Sequence, residues 1–579
     1  MFLPTTKADC RERGWEQLDI ILVSGDSYID SPYMGTALIG KFLVSHGFRV
    51  GVVAQPDTQG PGDITRLGEP LLWWGVSGGS VDSLVANYTA ANKRRKSDDF
   101  TPGGVNDRRP DRAVISYANL IRNYFKNTVP IVLGGIEASL RRISHYDYWS
   151  NNVRRSILFD ARADLLVYGM GETAALHISR RLQSGRSAED IPGICYISKT
   201  RPPDYIELPA HDVVKTNKHQ FTRMFMDFYD NNDALTARGL CQRQDTRYLV
   251  QNPPAPVLTQ AELDELYDLD FEHDQHPYYA RQGAVRALDT IRFSITTHRG
   301  CHGECNFCAI AVHQGQTVRW RSAPSILKEA RKLSTRPDFK GIIQDVGGPT
   351  ANMYGYECKK KLKKGCCPDK RCLFPEICPQ MPVDHKPQTQ LLKELAAMPG
   401  IKKAFVASGI RYDLILADKA AGDNYLQELV DRHVSGQLKI APEHMDDHIL
   451  ALMGKPSNAN LIEFKKRFDR LSARAGKKQF LTYYFIAAHP GCSLADMRRL
   501  DGFVRRELKL NPEQVQIFTP TPSTFATLMY HTGRDPFTGR KVYVEKATPR
   551  KIVQKEALLK KDRTGSKKLR RGKKQSGKT

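Results

Sequence analysis

No stretch of this 579-residue chain approaches the length of apolar sequence that a bilayer crossing needs. The opening run M-F-L-P-T-T-K-A-D-C-R-E-R also lacks an apolar signal core. These absences exclude a membrane-spanning helix and argue for the cytoplasm. A disulfide framework is missing too: the 12 cysteines are clustered, eight of them between Cys301 and Cys378. Clustering of that kind points to metal in a reducing compartment. Acidic residues are outnumbered, leaving a net charge of +24. From Glu545 to Thr579 there are 14 lysines and arginines against 3 acids, so this stretch alone carries +11. The tail G-S-K-K-L-R-R-G-K-K-Q-S-G-K-T has one apolar residue, Leu569, and is expected to be disordered alone. It can neutralise phosphates on RNA or DNA, or serve as a solvated tail. No aromatic residues interleave its charges to form a stacking surface.

The most informative residues are Cys301, Cys305 and Cys308 in R-G-C-H-G-E-C-N-F-C-A-I. Three thiolates from one loop leave one iron of a four-iron cluster open for a small molecule. Two other readings compete: a structural zinc site completed by His313, or a cysteine cluster without metal. The flanks favour the iron–sulfur cluster. D-T-I-R-F-S-I-T-T (289–297) alternates Ile291, Phe293 and Ile295 with more polar residues, as a strand does. After the cysteines, Ser322 or Ser325 can cap a helix with the apolar face Ile326, Leu327, Ala330 and Leu333. The thiols therefore fall at the C-terminal end of a strand, where β/α barrels place their active sites.

The chain is long enough for two or three α/β domains with ample cores. Residues 1–200 read as an N-terminal α/β domain, with strands in Q-L-D-I-I-L-V-S-G-D, F-R-V-G-V-V-A-Q-P, A-V-I-S-Y, V-P-I-V-L-G-G-I-E-A and A-D-L-L-V-Y-G-M-G-E. Helix T-A-L-I-G-K-F-L-V-S-H-G, ended by Gly47, lies between the first two. The pattern predicts a doubly wound parallel sheet, with Gly134, Gly135, Gly169 and Gly171 at strand ends near a ligand or a neighbouring domain. Residues 201–284 show weak periodicity and read as a linker. Residues 285–535 give six strands separated by helices, a partial barrel, with a cysteine-rich insert at 357–385. Residues 536–579 form a basic extension.

The C-x3-C-x2-C spacing resembles the cluster motif of radical S-adenosylmethionine enzymes. There the cofactor's amino and carboxylate groups chelate the open iron. That resemblance implies a glycine pair after the second strand to receive the amino group, and Gly347 and Gly348 stand at that place. Pro349 replaces the usual following acid, leaving Asp345 or backbone carbonyls as acceptors. Arg411, after the third strand, can pair with the cofactor carboxylate through its fork, and Ser408 suits the ribose. Glu443 and His444 end the fourth strand and can bind cofactor or substrate, or move a proton. Each of these can equally be a satisfied rim residue. His489 and Cys492 are weaker candidates. Cys358, Cys366, Cys367, Cys372 and Cys378, with His385 nearby, read as a second site for zinc or an auxiliary cluster, or as free thiols in a redox or structural loop.

G-G-I-E-A-S-L-R-R-I-S-H-Y-D-Y-W, P-T-A-N-M-Y-G, S-G-I-R-Y-D, A-P-E-H and Y-F-I-A-A-H-P-G-C resemble the YgiQ-type radical S-adenosylmethionine proteins over roughly residues 15–545. The resemblance implies a [4Fe–4S] cluster on Cys301, Cys305 and Cys308, with S-adenosylmethionine on the open iron. It leaves the radical's target open. The N-terminal layout is similar to cobalamin-binding-like domains. However, the cobalt-ligating D-x-H-x-x-G element is absent from G-D-S-Y-I-D-S-P-Y-M-G, which argues against cobalamin. Ser31 stands where the family carries His, which removes the basis for a metal or proton role in that loop. The expected activity is reductive cleavage of S-adenosylmethionine to a 5′-deoxyadenosyl radical, fed by a small electron donor such as flavodoxin or ferredoxin. Two other readings are an RNA-modifying enzyme like the tRNA methylthiotransferases and a non-enzymatic zinc-bound nucleic-acid protein.

Overall fold

The computed structural model describes residues 1–559. Its N-terminal half is built on nine strands. Five run parallel: Val50–Ala54, Ile20–Ser24, Trp73–Ser77, Ile131–Gly134 and Leu165–Val167, in that spatial order. In chain order this is 2-1-3-4-5, the doubly wound arrangement whose ligand crevice opens above strands one and three. Alternate residues feed two cores. Ile21 and Val23 join the apolar cluster on one face, and Ile20 and Leu22 join the cluster on the other. A sheet covered on both faces needs apolar residues at successive positions, and Ile20–Ser24 is buried throughout.

Two sequence expectations are corrected here. A-V-I-S-Y is the start of a helix, Ala113–Tyr124, and the missing strand is Trp73–Ser77. Buried Ala113, Val114, Tyr117, Ala118 and Ile121 recur at helical spacing, which a five-residue window cannot separate from a strand. Residues 201–284 are not a linker. Ile206–Leu208, Leu240–Gln244 and Arg247–Gln251 extend the same sheet beyond Ile194–Ser198. Helix Lys218–Asp230 buries Phe221, Met224, Phe225 and Phe228 along one stripe.

The second half is the expected partial barrel. Ser294–Thr296 pairs in parallel with Asp345–Gly347, and the preceding Ile342–Ile343 pairs with Lys403–Ala404. A bridge from Ile410 to Ile440 leads to Gln437–Glu443, which pairs with Phe480–Ala487 and that in turn with Gln514–Ile517. The first strand is shorter than its alternation suggests, because Leu288–Ile291 is a helical turn. Ser322 caps the following helix, Ala323–Ser334, by accepting from Ser325 N at 3.2 Å.

The halves share buried contacts. Glu172 of the N-terminal half pairs with Arg299 at 2.8 Å, both almost fully buried. Helix Phe525–Thr532, beyond the last barrel strand, packs into the core of the N-terminal sheet. Helix Thr548–Leu559 closes the end of the barrel: Gln554 accepts from Ala488 N at 2.9 Å, and Lys551 Nζ reaches Tyr530 Oη at 2.9 Å and Tyr148 Oη at 3.2 Å. The basic extension therefore includes a packed helix. The disordered-tail expectation, and the nucleic-acid contact attached to it, fall on residues outside those described. A deletion from residue 546 would remove this helix too, so only a cut after Leu559 tests the tail alone.

Burial pulls the Lys551 ammonium down to about 8, with Glu545 opposing. Its folded pKa lies below the unfolded value, so the desolvation penalty is complete below pH 8 and vanishes as pH rises past about 10.4. Lys551→Met is expected to gain most over the wild type at neutral pH. That advantage should shrink by roughly 1–3 kcal/mol between pH 8 and 10.4, measured by denaturant unfolding.

Candidate functional site

Strand Ser294–Thr296 ends at a loop that delivers Cys301, Cys305 and Cys308, all half-buried. Gly300, at φ 81°, starts the loop; a side chain there would strike the Thr317 carbonyl at 2.4 Å. Gly303 N donates to Cys301 Sγ at 3.3 Å. A Cβ on Gly303 would lie 3.3 Å from Cys301 Sγ, 3.6 Å from Cys305 Sγ and 3.4 Å from an Arg411 terminal nitrogen. The loop backbone thus curls around two thiols with a guanidinium at its edge. Burial pushes the Cys308 thiol up to about 12, with Cys305 adding to the rise. Burial also raises Cys305, against the pull of Lys455 and Arg411. Desolvated thiols beside fixed cations suit a bound cationic group that takes them as thiolates.

Arg411 is held from several directions. Asp413 takes its Nε edge, with Nε to Oδ1 at 2.9 Å. Asn352 of P-T-A-N-M-Y-G accepts from Arg411 N at 2.8 Å and donates to its carbonyl at 2.9 Å. Asn352 also meets His385, whose Nδ1 lies 2.9 Å from Asp418. His385 is therefore a positioning residue in this chain and does not join the cysteine-rich insert. Glu443 ends its strand at φ 67°, after a bulge that re-aims the chain. Its buried carboxyl is pushed up by desolvation, with Lys455 and Arg411 pulling the other way. Lys455 Nζ stands 3.8 Å from Glu443 Oε1 and also donates to the Ala441 carbonyl.

On the other side of the barrel mouth, Gly347, Gly348 and Ser408 face a cavity of about 530 Å³. Its far wall is the C-terminal edge of the N-terminal sheet, including Gly79, Gly134, Gly135, Gly169 and Gly171. Gly348 must be glycine: a Cβ there would lie 2.7 Å from the His298 ring. Asp345 spends its carboxylate on the backbone amides of Ala407 and Ser408, at 2.8 and 3.0 Å, and on the Ser408 hydroxyl. The acid suggested as an amine acceptor is thus holding the next strand's loop.

Three other candidates lie behind the cysteine loop. His444 Nε2 is 3.8 Å from Cys492 Sγ, and its Nδ1 accepts from Asp446 N at 3.0 Å. His489 packs its ring against Phe307 of the loop and Phe518. Burial lowers both imidazoles, His444 to about 4 and His489 to about 3. They act as neutral packing groups around the cluster loop.

Family models match the chain in three blocks: Radical SAM N-terminal over residues 2–294, Radical SAM superfamily over 295–504, and a domain of unknown function (DUF3362) over 513–578. A UPF0313 protein of Fusobacterium nucleatum is 56% identical, covering 97% of this chain and 99% of the relative. The chain belongs to the UPF0313 family of radical S-adenosylmethionine (radical SAM) proteins. A UPF0313 protein of Thermotoga maritima is 49% identical across 96% of this chain and 98% of its own length. Among solved structures, the radical SAM methyltransferase TsrM from Kitasatospora setae, with cobalamin and a [4Fe-4S] cluster bound, matches 87% of this chain and 76% of its own. Its identity is 14% and its TM-score 0.45. The cobalamin-dependent radical enzyme OxsB covers 89% of this chain and 55% of its own, at 13% identity and TM-score 0.49.

Membership places the boundary between the family's two main blocks at residues 294/295, on the strand that carries the cysteine loop. The zinc alternative is corrected. His313 Nδ1 is engaged by Ser139 Oγ of the N-terminal half at 3.1 Å. Among the described residues no three His, Cys, Asp or Glu side chains gather on a point suited to one metal ion. Thiolates bound to different irons of one cluster are spaced by the cluster's width and need no such point. The second cysteine group, Cys358, Cys366, Cys367, Cys372 and Cys378, likewise forms no single-ion point among the described residues, which bears on zinc and leaves the auxiliary-cluster and free-thiol readings as they stood. Lys361 Nζ sits 3.7 Å from Cys372 Sγ with Cys366 also near.

Sequence reasoning missed Lys455, Asn352, Asp413 and the buried His302–Glu357 contact at 3.5 Å. Only Asp413, two residues from Arg411, left a local signal. Cys305→Ala is expected to abolish iron and sulfide incorporation, whereas His313→Ala retains both, as read by metal and sulfide analysis of anaerobically reconstituted protein.

Proposed function

We propose that this UPF0313 protein holds a [4Fe–4S] cluster on Cys301, Cys305 and Cys308. S-adenosylmethionine would take the open iron, with a substrate in the cavity between sheet and barrel. The observation that supports this most directly is the curled three-thiol loop beside Arg411 at the mouth of a barrel that shares a cavity with the N-terminal sheet. When bound, the cluster and S-adenosylmethionine would supply one-electron cleavage to a 5′-deoxyadenosyl radical, which abstracts hydrogen from substrate.

The chain's own residues have distinct tasks in this reading. Arg411, with one edge fixed by Asp413, offers its remaining edge to a carboxylate. Gly347 and Gly348 bring main chain close without a side chain in the way, and Ser408 presents a hydroxyl oxygen beside them. Glu443 and Lys455 form a buried pair able to hold a proton near the thiols. Apolar side chains, among them Leu22, Met34, Val132 and Ile310, form much of the cavity wall.

The cavity is assigned to substrate, not to cobalamin. The loop Gly25–Gly35 contains no histidine, and Ser31 is fully buried within it. Two imidazoles line the cavity from the barrel half: His298 is committed to Thr297 at 2.8 Å and to the Thr350 carbonyl at 3.0 Å, and His313 Nδ1 meets Ser139 Oγ at 3.1 Å. Titration with hydroxocobalamin should leave its absorbance spectrum unchanged; stoichiometric binding with a spectral shift would reverse the assignment.

Anaerobic reconstitution should give a brown protein that releases 5′-deoxyadenosine when dithionite and S-adenosylmethionine are added. A protein carrying zinc and no inorganic sulfide would sink the radical reading.

A further inference from the structure

The cysteine-rich insert carries a feature that its cysteines do not explain. Helix Lys359–Lys364 contains five lysines in six residues. Lys361 is buried, and Lys359, Lys360, Lys363 and Lys364 are exposed, followed by exposed Lys370. Among the described residues, none of these five exposed lysines has an acidic partner within ion-pair distance, unlike Lys328, Lys332 and Lys465 elsewhere on the surface. The only acid within 359–370 is Asp369. The result is a compact positive field with one partly exposed apolar residue, Leu362, in its midst.

The field is fixed to the cluster loop. Lys361, the buried member of the helix, donates to the Gln316 carbonyl at 2.8 Å and pairs with Glu357 Oε1 at 3.2 Å. Glu357 accepts from Val318 N at 2.7 Å and lies 3.5 Å from His302, the residue after Cys301. Arg371 donates to the carbonyl of Glu304 at 3.1 Å and to Asn306 Oδ1 at 2.7 Å, two residues that flank Cys305. Cys301 and Cys372 pack on the same small apolar cluster of Val318, Met353, Leu373 and Leu414. The insert thus joins the lysine surface to the cluster loop through short side-chain contacts.

We infer that this lysine face is the docking surface of a small acidic protein that carries single electrons. The inference rests on the proposed radical chemistry, which consumes one electron per cleavage. The exchange is simple in balance: the carrier's reduced centre loses one electron, the cluster gains it, and no bond or proton changes hands. Electron transfer slows steeply with distance, which favours a surface tied directly to the cluster loop, as Lys361 with Glu357 and Arg371 with Glu304 and Asn306 tie this one. Unpaired lysines around one apolar residue suit a transient, electrostatically steered encounter with an acidic surface. Nucleic acid fits less well, because no aromatic residue stands between Lys359 and Lys370 to stack a base.

The test compares the full-length wild type with the variant Lys359→Glu, Lys360→Glu, Lys363→Glu, Lys364→Glu. Affinity for an acidic flavodoxin is measured by titration, and cluster reduction is followed by absorbance with reduced flavodoxin and, separately, with dithionite. The variant should lose affinity and flavodoxin-driven rate by about 10-fold or more at low salt. The gap should close at high salt, and dithionite-driven reduction should be unchanged. Equal affinity in both proteins would overturn the proposal. So would a loss of transfer RNA binding with flavodoxin binding intact, which would give the patch to nucleic acid. If both reductants slow together, the Lys→Gln versions of the same four positions decide: a flavodoxin-specific defect supports docking, and a shared defect refutes it. Absence of 5′-deoxyadenosine from the wild type with dithionite would instead count against the radical reading, while the flavodoxin affinity still reports on docking.

Discussion

Two thiols drawn out of water beside fixed positive charge, Cys305 and Cys308, form the constraint on which the site depends. A thiol buried without a partner stays protonated, and Cys305 and Cys308 are pushed that way. A cation must therefore be close and unable to leave. Arg411 meets that need only because its own position is overdetermined, with Asp413 on one edge of the guanidinium and Asn352 on both sides of its peptide. Asn352 is steadied by His385, and His385 by Asp418. The chain P-T-A-N-M-Y-G, S-G-I-R-Y-D and His385 thus reads as one bracket for a single charge. Glu443, at φ 67°, stores backbone strain of about 1–3 kcal/mol at the same place. The compensation is a carboxyl aimed at Lys455 beside the thiols.

A six-stranded barrel is open along one side and cannot shut water out by itself. The N-terminal sheet supplies the missing wall, with its carboxyl edge facing the barrel mouth across the shared cavity. The join is not a loose one. Glu172–Arg299 is a buried ion pair split between the halves, and removing either partner would leave the other's charge buried and unpaired. Ser139 meets His313, and Ser523 donates to the Leu140 carbonyl at 2.9 Å. Lys551 adds a fourth tie, from the C-terminal helix to Tyr148, in the signature H-Y-D-Y-W. That end of the signature helps to join the halves.

Where a functional group comes from one short loop, its role was legible in the sequence. Cys301, Cys305 and Cys308 declare their number and spacing, and the strand before them declares which end of the barrel they occupy. Groups assembled from distant segments were silent: Lys455 lies about 150 residues from the thiols it faces. The wing of the N-terminal sheet was silent for another reason. Its strands L-C-Q-R-Q and R-Y-L-V-Q bury Gln242, Gln244 and Gln251, so their inward face does not read as apolar. Their amide oxygens find partners far away: Gln242 Oε1 accepts from Ser144 N at 3.1 Å and Gln244 Oε1 from Ser156 N at 2.9 Å. Gln251 Oε1 accepts from Arg142 Nε at 3.0 Å. Alternation rules see a polar loop because the partners that make burial affordable lie some 90–110 residues upstream.

The cysteine-rich insert shows how composition can suggest a chemistry that geometry redirects. Five cysteines among lysines invite a metal, because cationic neighbours favour thiolates. Here one lysine occupies the interior instead. Lys361 is buried, its charge maintained by Glu357 against desolvation, and Cys366 and Cys372 lie beside it. A divalent ion at the same point would meet a fixed ammonium a few ångströms away and would have to displace it or repel it. Burial holds Cys372 up near 11, a neutral thiol packed against the apolar cluster that also supports Cys301. Charge and packing are what the insert contributes in this structure. Lys361 pins the helix inward through Glu357 to the cluster loop, and that anchorage turns the remaining lysines outward as a single field.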